Sequence, residues 1–331
     1  MANSFGRREF ISLLGSAAAA WPLAARAQAP AVPVIGFLNS TSPDPILQRV
    51  AAFRRGLSEL GFVERQNVTT EFRWAEYQNY RLPSLAADLV RRRVAVIAAT
   101  GGTTAALAAK QATSTIPIVF EIGGDPIATG LVDSLSGSGG NLTGISLNVM
   151  ALAQSQLELL RKFIPKASNV AVFLNPDNPN SRAQQARMEA AARAIGMQTL
   201  ILKVNKESGF DQPFTTLVQR RADALFVGND PFFLEWRQEI ISLAARHSVP
   251  TIYSSHAYAE AGGLMSYGVN IADGYHQAGV YVGRILNGEK PGDLPVVNST
   301  TFKLAINITT ARTLGFDLPA ALLSRADEVI Q

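Results

Sequence analysis

The stretches VIGFLNSTSPD, residues 34–44, and VAVFLNPDNPN, residues 170–180, share one pattern. Each begins with an uninterrupted apolar run, passes through Phe-Leu-Asn, and ends in a polar loop that contains proline and aspartate. A continuous apolar run without alternation is typical of a parallel strand that is buried on both faces. The polar loop follows the point where such a strand would end. The two stretches therefore predict equivalent buried strands in a repeated unit.

Two further matches occur in the same order along the chain. LVRRRVAVI at residues 89–97 is similar to LVQRRADALF at residues 217–226, and IPIVF at residues 116–120 is similar to VPTIY at residues 249–253. Between these runs, apolar residues recur every three or four positions, which is typical of amphipathic helices. This internal repeat predicts the α/β class, with two similar doubly wound, Rossmann-like lobes joined by a hinge.

The spacing of the repeat also predicts where the lobes divide. We expect lobe 1 to comprise residues 32–146 and about 266–295, and lobe 2 to comprise residues 147–265 and about 296–325. More than one crossing between the lobes favours a guided closure over a loose tether.

The composition excludes several functions. The chain has 331 residues and a formal net charge of +4, which falls to +2 without residues 1–27, because these hold three arginines and one glutamate. Neither this charge nor its distribution indicates nucleic-acid binding. The absence of cysteine excludes thiol catalysis, disulfides and thiolate metal ligands, and three histidines offer little for a zinc site. We expect no metal and no cofactor.

The first residues predict export. A basic pair, Arg7-Arg8, precedes an apolar stretch at residues 10–25 and a small-x-small sequence that ends at Ala27. The apolar stretch is shorter than the roughly 20 residues of a membrane-spanning helix. We expect a signal peptide of the twin-arginine type at residues 1–27, cleaved after Ala27, and a periplasmic protein. A general secretory signal that happens to carry two arginines is the alternative.

Several blocks carry a family pattern: VPVIGFLNS at 32–40, TIPIVFEIGGDPIATGLV at 115–132, GGNLTGIS at 139–146, and FKLAINITTARTLGFDLPAALLSRADEVI at 302–330. Together they resemble the ABC-transporter substrate-binding protein family of the tryptophan/tyrosine-binding type. The resemblance covers the chain beyond the predicted signal peptide and implies a type I periplasmic-binding fold. It also implies a small-molecule solute, often an aromatic amino acid, and an inner-membrane ABC permease with a cytoplasmic ATPase.

Open parallel sheets bind ligands at the carboxyl ends of their strands, so the polar loops there supply the candidate residues. The predicted ligand-binding residues are Ser40, Thr41, Thr100, Gly101, Thr103, Asp125, Asn175, Asn229, Tyr253 and Ser254. Residues 100–103 precede a predicted helix, whose free N–H groups and hydroxyls suit a carboxylate. Thr103 either contacts the ligand or caps this helix. Ser40 and Thr41 either add hydroxyl donors or form a plain turn.

Other candidates have equally clear alternatives. Asp125 either accepts from a ligand ammonium or caps a helix that follows it, and capping is favoured because proline comes next, at the first helical position. Asn229 should point into the cleft, whereas Asp230 is placed to cap a helix. Tyr253 either stacks on an aromatic ligand or packs into the hinge.

The sequence lacks the short motifs of common enzymes: the dinucleotide fingerprint, the nucleophile elbow, the zinc helix motif and the P-loop. We therefore expect a monomeric solute-binding protein, not an enzyme, that closes on an amino acid or a similar carboxylate and delivers it to the permease. The polar loops are equally compatible with a branched acid or an aromatic carboxylate. The alternative function is ligand sensing, in which the closed form engages a membrane receptor.

Overall fold

The computed structural model describes residues 32–137, 140–205 and 208–331. The predicted signal peptide at residues 1–27 lies outside these ranges. Among the described residues, no helix combines the length and the apolar character that crossing a bilayer requires.

Strands and helices alternate along most of the chain. The strands are β1 (Val34–Asn39), β2 (Thr69–Trp74), β3 (Val96–Thr100), β4 (Ile118–Ile122), β5 (Leu142–Ser146), β6 (Asn169–Leu174), β7 (Gln198–Lys203), β8 (Ala224–Val227), β9 (Thr251–Ser255), β10 (Met265–Val269), β11 (Val297–Asn298), β12 (Phe302–Asn307) and β13 (Glu328–Ile330). The helices are α1 (Leu47–Glu59), α2 (Leu82–Arg91), α3 (Thr103–Ala112), α4 (Ala153–Phe163), α5 (Ser181–Ala194), α6 (Asp211–Gln219), α7 (Pro231–Glu235), α8 (Arg237–Arg246), α9 (His256–Glu260), α10 (Ile271–Leu286), α11 (Ile308–Thr313) and α12 (Ala320–Leu323). Short 3-10 helices cover Asp44–Ile46, Asn79–Arg81, Val149–Leu152 and Pro291–Asp293.

The strands form two sheets of related topology. The first has the order β11-β5-β4-β3-β1-β2 and the second β13-β12-β10-β9-β8-β6-β7. The first sheet is parallel throughout, and in the second only β10 and β12 pair antiparallel. Strands β1, β3 and β4 thus occupy the same places as β6, β8 and β9, which are the strands that the sequence repeat matched. The prediction of two doubly wound α/β lobes is confirmed.

The chain passes between the sheets after β5, after β10 and after β11. Strand β10 still belongs to the second sheet, and β11 pairs with β5 of the first. The lobe boundaries stay predictions. Strand pairing favours crossings near Asn270 and Ser299, a few residues later than the expected boundaries at about 266 and 295.

Helices α1 and α10 pack together unusually closely at one point. A Cβ atom added to Gly56 would overlap the carbonyl oxygen of His276, and one added to Gly279 would overlap that of Phe53. Glycine is therefore required at both positions, because the two backbones touch there. Since α10 begins directly after the crossing near Asn270, this contact fixes α1 relative to the hinge.

We expect Gly56→Ala to lower the free energy of unfolding by about 1–2 kcal/mol. Alanine gains roughly 1 kcal/mol of helix propensity over glycine, but the added methyl group forces two backbones apart, and overpacking typically costs about 1–3 kcal/mol or more. Urea denaturation measures the change. Ser58→Ala, at an exposed position of the same helix, is the control and should leave the midpoint almost unchanged. A Gly56→Ala protein as stable as the parent would contradict the close contact.

Candidate ligand-binding cleft

The carboxyl ends of the strands in both sheets face a cavity between the lobes, with a volume of about 130 Å³. Loops after β1, β3 and β4 line it from lobe 1, and loops after β6, β8 and β9 line it from lobe 2. The cleft is thus lined by loops that follow the strands matched by the sequence repeat.

Two asparagines at these strand ends form the same pair of contacts, one in each lobe. The Asn39 side-chain oxygen accepts a hydrogen bond from the N–H of Thr41 at 2.8 Å, and its amide donates to the Thr100 hydroxyl at 2.9 Å. The Asn175 oxygen accepts from the N–H two residues later at 3.0 Å, and its amide donates to Asp230 at 3.2 Å. Each side chain turns its own loop. Asn39 ties its loop to the end of β3, and Asn175 ties its loop to the segment that follows β8.

Seven of the ten predicted residues line the cavity: Ser40, Thr41, Gly101, Thr103, Asn175, Asn229 and Ser254. Direct ligand contact by each of them stays a prediction. In this conformation the Ser40 hydroxyl donates to the carbonyl of Gly101, and the Thr41 hydroxyl donates to Asn39 at 2.8 Å. Both hydroxyls therefore hold the loops together and are not free to donate to an anion.

The other three predicted residues do not line the cavity. Thr100 is fully buried beneath it, where its hydroxyl accepts from Asn39. Asp125 is exposed and accepts from the N–H two residues later at 2.9 Å, as the capping alternative predicted. The predicted helix after it is wrong, because residues 126–130 form a turn. Tyr253 is 1% exposed and lies behind the wall, stacked on Tyr258 with ring centroids 4.4 Å apart.

The two lobes are in direct contact across the cleft. The Tyr77 hydroxyl donates to a carboxylate oxygen of Glu235 at 2.6 Å, and the Asn180 amide donates to the Thr103 hydroxyl at 2.8 Å. Thr103 does not cap its helix, because Gly102 occupies the N-cap position. The structure is therefore a closed form, and Thr103 contributes to the contact between the lobes.

Arg49 reaches the cavity from the first turn of α1. Within the described residues its guanidinium forms no salt bridge and no side-chain hydrogen bond, and it is only partly exposed. An unpaired guanidinium beside a cavity is suited to a carboxylate, which it can hold with two parallel hydrogen bonds. The sequence analysis missed Arg49 because it lies in a helix and not in a strand-end loop.

Glu121 forms part of the cavity from within β4 and is 3% exposed. Burial raises the pKa of this carboxyl from 4.5 to about 7, although the nearby Arg49 charge and the N–H of Gly101 partly oppose the shift. That N–H lies 3.4 Å away, so the carboxyl has spare capacity to accept hydrogen bonds. The sequence analysis could have identified Glu121, because it is the single charged residue inside an otherwise apolar strand, IVFEI.

Both carboxylate oxygens of Asp230 accept hydrogen bonds from other groups of the protein. It accepts from the N–H of Phe232 at 2.7 Å, which confirms its role as a helix cap, and from the amide of Asn178 at 2.6 Å. Burial raises its pKa, and these hydrogen bonds oppose the rise. Asp230 thus positions the lobe 2 loops.

Two tyrosines that the sequence analysis also missed complete the walls. Tyr258, in α9, and Tyr275, in α10, line the cavity and are each 1% exposed. The Tyr275 hydroxyl accepts from Asn39 at 2.9 Å, and burial raises its pKa to about 12. The cavity therefore combines aromatic rings with one cationic side chain, Arg49, and three acidic ones, Glu121, Asp177 and Asp230. Both oxygens of Asp230 and one oxygen of Asp177 accept hydrogen bonds from asparagine amides of lobe 2. This combination suits a small ligand that carries both charges.

Two doubly wound sheets with their strand ends on one closed cleft define the type I periplasmic-binding fold. The sequence model of the family described as ABC transporter substrate binding protein matches residues 32–330. The chain therefore belongs to this family. Its members bind small-molecule solutes, work with ABC permeases and act outside the cytoplasm or in the periplasm; the protein is a solute-binding protein and not an enzyme.

Two relatives whose names or structures include an aromatic amino acid are similar to this protein over most of its length. The tyrosine-binding protein of Clostridioides difficile (strain R20291) is 27% identical over 262 residues, which is 79% of this chain and 75% of that protein. The ABC domain in complex with L-Trp from Streptococcus pneumonia is 26% identical with a TM-score of 0.82, covering 90% of this chain and 99% of that one.

A third structure provides an open reference. The ligand-free, open structure of a substrate-binding protein with adhesive properties from Clostridium difficile is 27% identical, covering 91% of this chain and 100% of that one, with a TM-score of 0.67. The chain is thus closer in shape to the L-Trp complex than to the open structure, in agreement with the contacts between its lobes.

We expect Tyr77→Phe to shift the ligand-free protein towards the open form. The substitution removes one hydrogen bond between the lobes, which contributes about 1 kcal/mol, or roughly a fivefold change in the ratio of closed to open molecules. Because the chain contains no cysteine, Ser84→Cys in α2 and Arg182→Cys in α5, both exposed, allow a dye to be attached to each lobe. Single-molecule energy transfer then measures the two populations.

Tyr80→Phe is the matched control, since its hydroxyl bonds to Gln78 of the same lobe. It should leave the populations unchanged. Identical populations in Tyr77→Phe and the parent protein would show that this hydrogen bond does not hold the lobes together.

Proposed function

We propose that the protein binds an α-amino acid with an aromatic side chain in the cleft between its lobes and delivers it to an ABC permease. The observation that carries this proposal is the pairing of Arg49 and Glu121 on one cavity. The guanidinium suits the α-carboxylate of the ligand, and the buried carboxyl suits its α-ammonium. Among the described residues neither group forms a salt bridge, although each feels the charge of the other, so a ligand that carries both charges can pair with both.

The start of α3 supports the same orientation. Gly101, Gly102 and Thr103 line the cavity where this ten-residue helix begins. Free N–H groups at a helix N-terminus favour an anion. A carboxylate bound there and by Arg49 would be held by lobe 1 from two directions.

The walls and the volume support an aromatic side chain. A cavity of about 130 Å³ is similar in size to an engineered protein cavity of roughly 150 Å³ that binds benzene. It therefore has room for one aromatic ring, and the charged end of a whole amino acid needs additional space in the cleft. The rings of Tyr258 and Tyr275 offer flat apolar surfaces. The relatives described above include a tyrosine-binding protein and a domain in complex with L-Trp.

Delivery follows from closure. A solute that contacts both lobes shifts the protein towards the closed form, which the permease then distinguishes from the empty, open form. Residues 1–27 carry the features of a twin-arginine signal peptide, so we propose that a monomer acts in the periplasm after cleavage at Ala27.

We expect Arg49→Gln to weaken the binding of L-tyrosine and L-tryptophan by about 10- to 100-fold, because a charge-assisted hydrogen bond contributes roughly 1.5–3 kcal/mol. Isothermal titration calorimetry measures the change. Arg55→Gln, an exposed position of the same helix, is the control and should bind as the parent does. Tyramine, which lacks the carboxylate, should bind both variants alike. If the parent binds none of the aromatic amino acids, the ligand assignment fails.

We expect affinity for these amino acids to rise about tenfold between pH 6 and pH 8. The ligand ammonium pairs with the ionised form of Glu121, whose pKa is about 7 in the free protein, so the binding-competent fraction grows over this range. The stability of the ligand-free protein changes with pH in the opposite direction. A carboxyl with a raised pKa stabilises the fold below pH 4.5, and this contribution is lost as the pH rises through about 7.

Glu121→Gln should flatten the pH profile of binding, as followed by calorimetry at each pH. A profile that stays steep in this variant would assign the titration to another group.

A further inference from the structure

Two glycines of lobe 1, Gly123 and Gly124, follow β4, and neither has a positive φ. The backbone conformation at both positions is therefore open to alanine as well as to glycine. What excludes a side chain there is space. In the closed protein that space is taken by asparagine side chains of lobe 2.

Gly124 is the stricter of the two positions. A Cβ atom added there would lie 2.4 Å from Oδ1, 2.8 Å from Cγ and 3.0 Å from Nδ2 of Asn180. Rotating this amide about its last torsion exchanges the oxygen and the nitrogen but leaves Cγ in place, so it does not relieve the overlap. A Cβ atom at Gly123 would lie 2.5 Å from Nδ2 of Asn229 but 3.8 Å from its Cγ, so a rotation of that amide is sufficient.

The two glycines are anchored where the chain leaves lobe 1. The Gly124 carbonyl accepts a hydrogen bond from the Ser146 hydroxyl at 2.9 Å, and the Gly123 carbonyl accepts from the N–H of Val149 at 3.3 Å. Residues 146–149 follow β5, at the first crossing between the lobes. The glycine loop is therefore held from behind and cannot retreat from lobe 2.

Asn180 is held as firmly on the other side of the contact. Its N–H donates to Oδ1 of Asn178 at 2.8 Å, and the Asn178 amide donates to Asp230 at 2.6 Å. The Asn180 amide donates to the Thr103 hydroxyl of lobe 1 at 2.8 Å. Swinging the whole side chain away from a methyl group at Gly124 breaks this hydrogen bond between the lobes. A side chain at residue 124 and the closed contact therefore exclude each other.

We propose that Gly123 and Gly124 form the surface on which lobe 2 lands when the cleft closes, and that the missing side chain at Gly124 is what permits complete closure. The two glycines act at the end of the movement, because the asparagines that meet them belong to the opposite lobe. A methyl group at residue 124 holds the lobes apart and leaves the fold of each lobe unchanged. The inference concerns the movement itself and does not depend on the identity of the solute.

The test is a double-mutant cycle of Gly124→Ala and Asn180→Ala, read by single-molecule energy transfer between dyes on Ser84→Cys and Ala190→Cys, both exposed positions. In the ligand-free protein, Gly124→Ala should lower the ratio of closed to open molecules by about tenfold or more, as expected for overpacking of a fixed contact. Asn180→Ala removes the amide and retains Cβ. Adding Gly124→Ala to this variant should therefore change the ratio by less than about twofold.

A Gly124→Ala protein that closes as the parent does would overturn the inference. An equal decrease with and without the Asn180 amide would do the same, since the methyl group would then act on some other part of the protein. Melting curves show whether each variant is folded. A Gly124→Ala protein that fails to fold would also contradict the inference, because lobe 1 by itself would then require the glycine.

A second series with L-tyrosine and L-tryptophan tests the proposed function separately. Each amino acid should increase the closed fraction of the parent protein and increase it less in Gly124→Ala. If neither amino acid closes the parent protein, the proposed function fails, and the ligand-free populations still decide whether the glycines limit closure.

Discussion

The hydrogen bonds of Asn39 and Asn175 hold the cleft in shape. Each asparagine stands at the carboxyl end of a central strand and turns the following loop with its side-chain oxygen. The amide of Asn39 ties this loop to Thr100 at the end of β3, and that of Asn175 ties it to Asp230 in the loop after β8. Parallel pairing already brings these loops to one edge of each sheet. The asparagines then fix them against one another, so that Thr41 and Asp230 have defined positions. The repeated Phe-Leu-Asn of the sequence is thus a structural device that both lobes use.

Each lobe supplies a different part of the proposed recognition. Lobe 1 contributes Arg49, Glu121 and the start of α3, whereas lobe 2 contributes the ring of Tyr258 to the cavity wall. Neither set of contacts is complete in an open protein. Only the closed form offers both at once, so the free energy of binding acts directly on the equilibrium between open and closed forms. The hydrogen bonds between the lobes add to this preference but are modest by themselves.

The fold was predictable because it depends on order and periodicity, which the sequence displays. Buried runs such as VIGFLN and VAVFLN marked the strands, and the repeat gave the two lobes. The candidate site was predictable only as a set of loops. Arg49 lies in a helix, Glu121 lies inside a strand and Tyr258 lies in α9, and only the folded chain shows that these side chains project into one cavity. Tyr253 has the strand-end position that the prediction required, but its ring points behind the wall.

The glycine contact between α1 and α10 has a further consequence. Helix α10 starts at the hinge, and α1 carries Arg49 into the cleft, so a rotation about the hinge turns the arginine with it. Leu60 and Gly283 continue this contact far from the cavity. If Arg49 holds the solute as proposed, the packing of α1 on α10 positions its guanidinium, and residues that do not line the cavity contribute to the affinity through the placement of the helix.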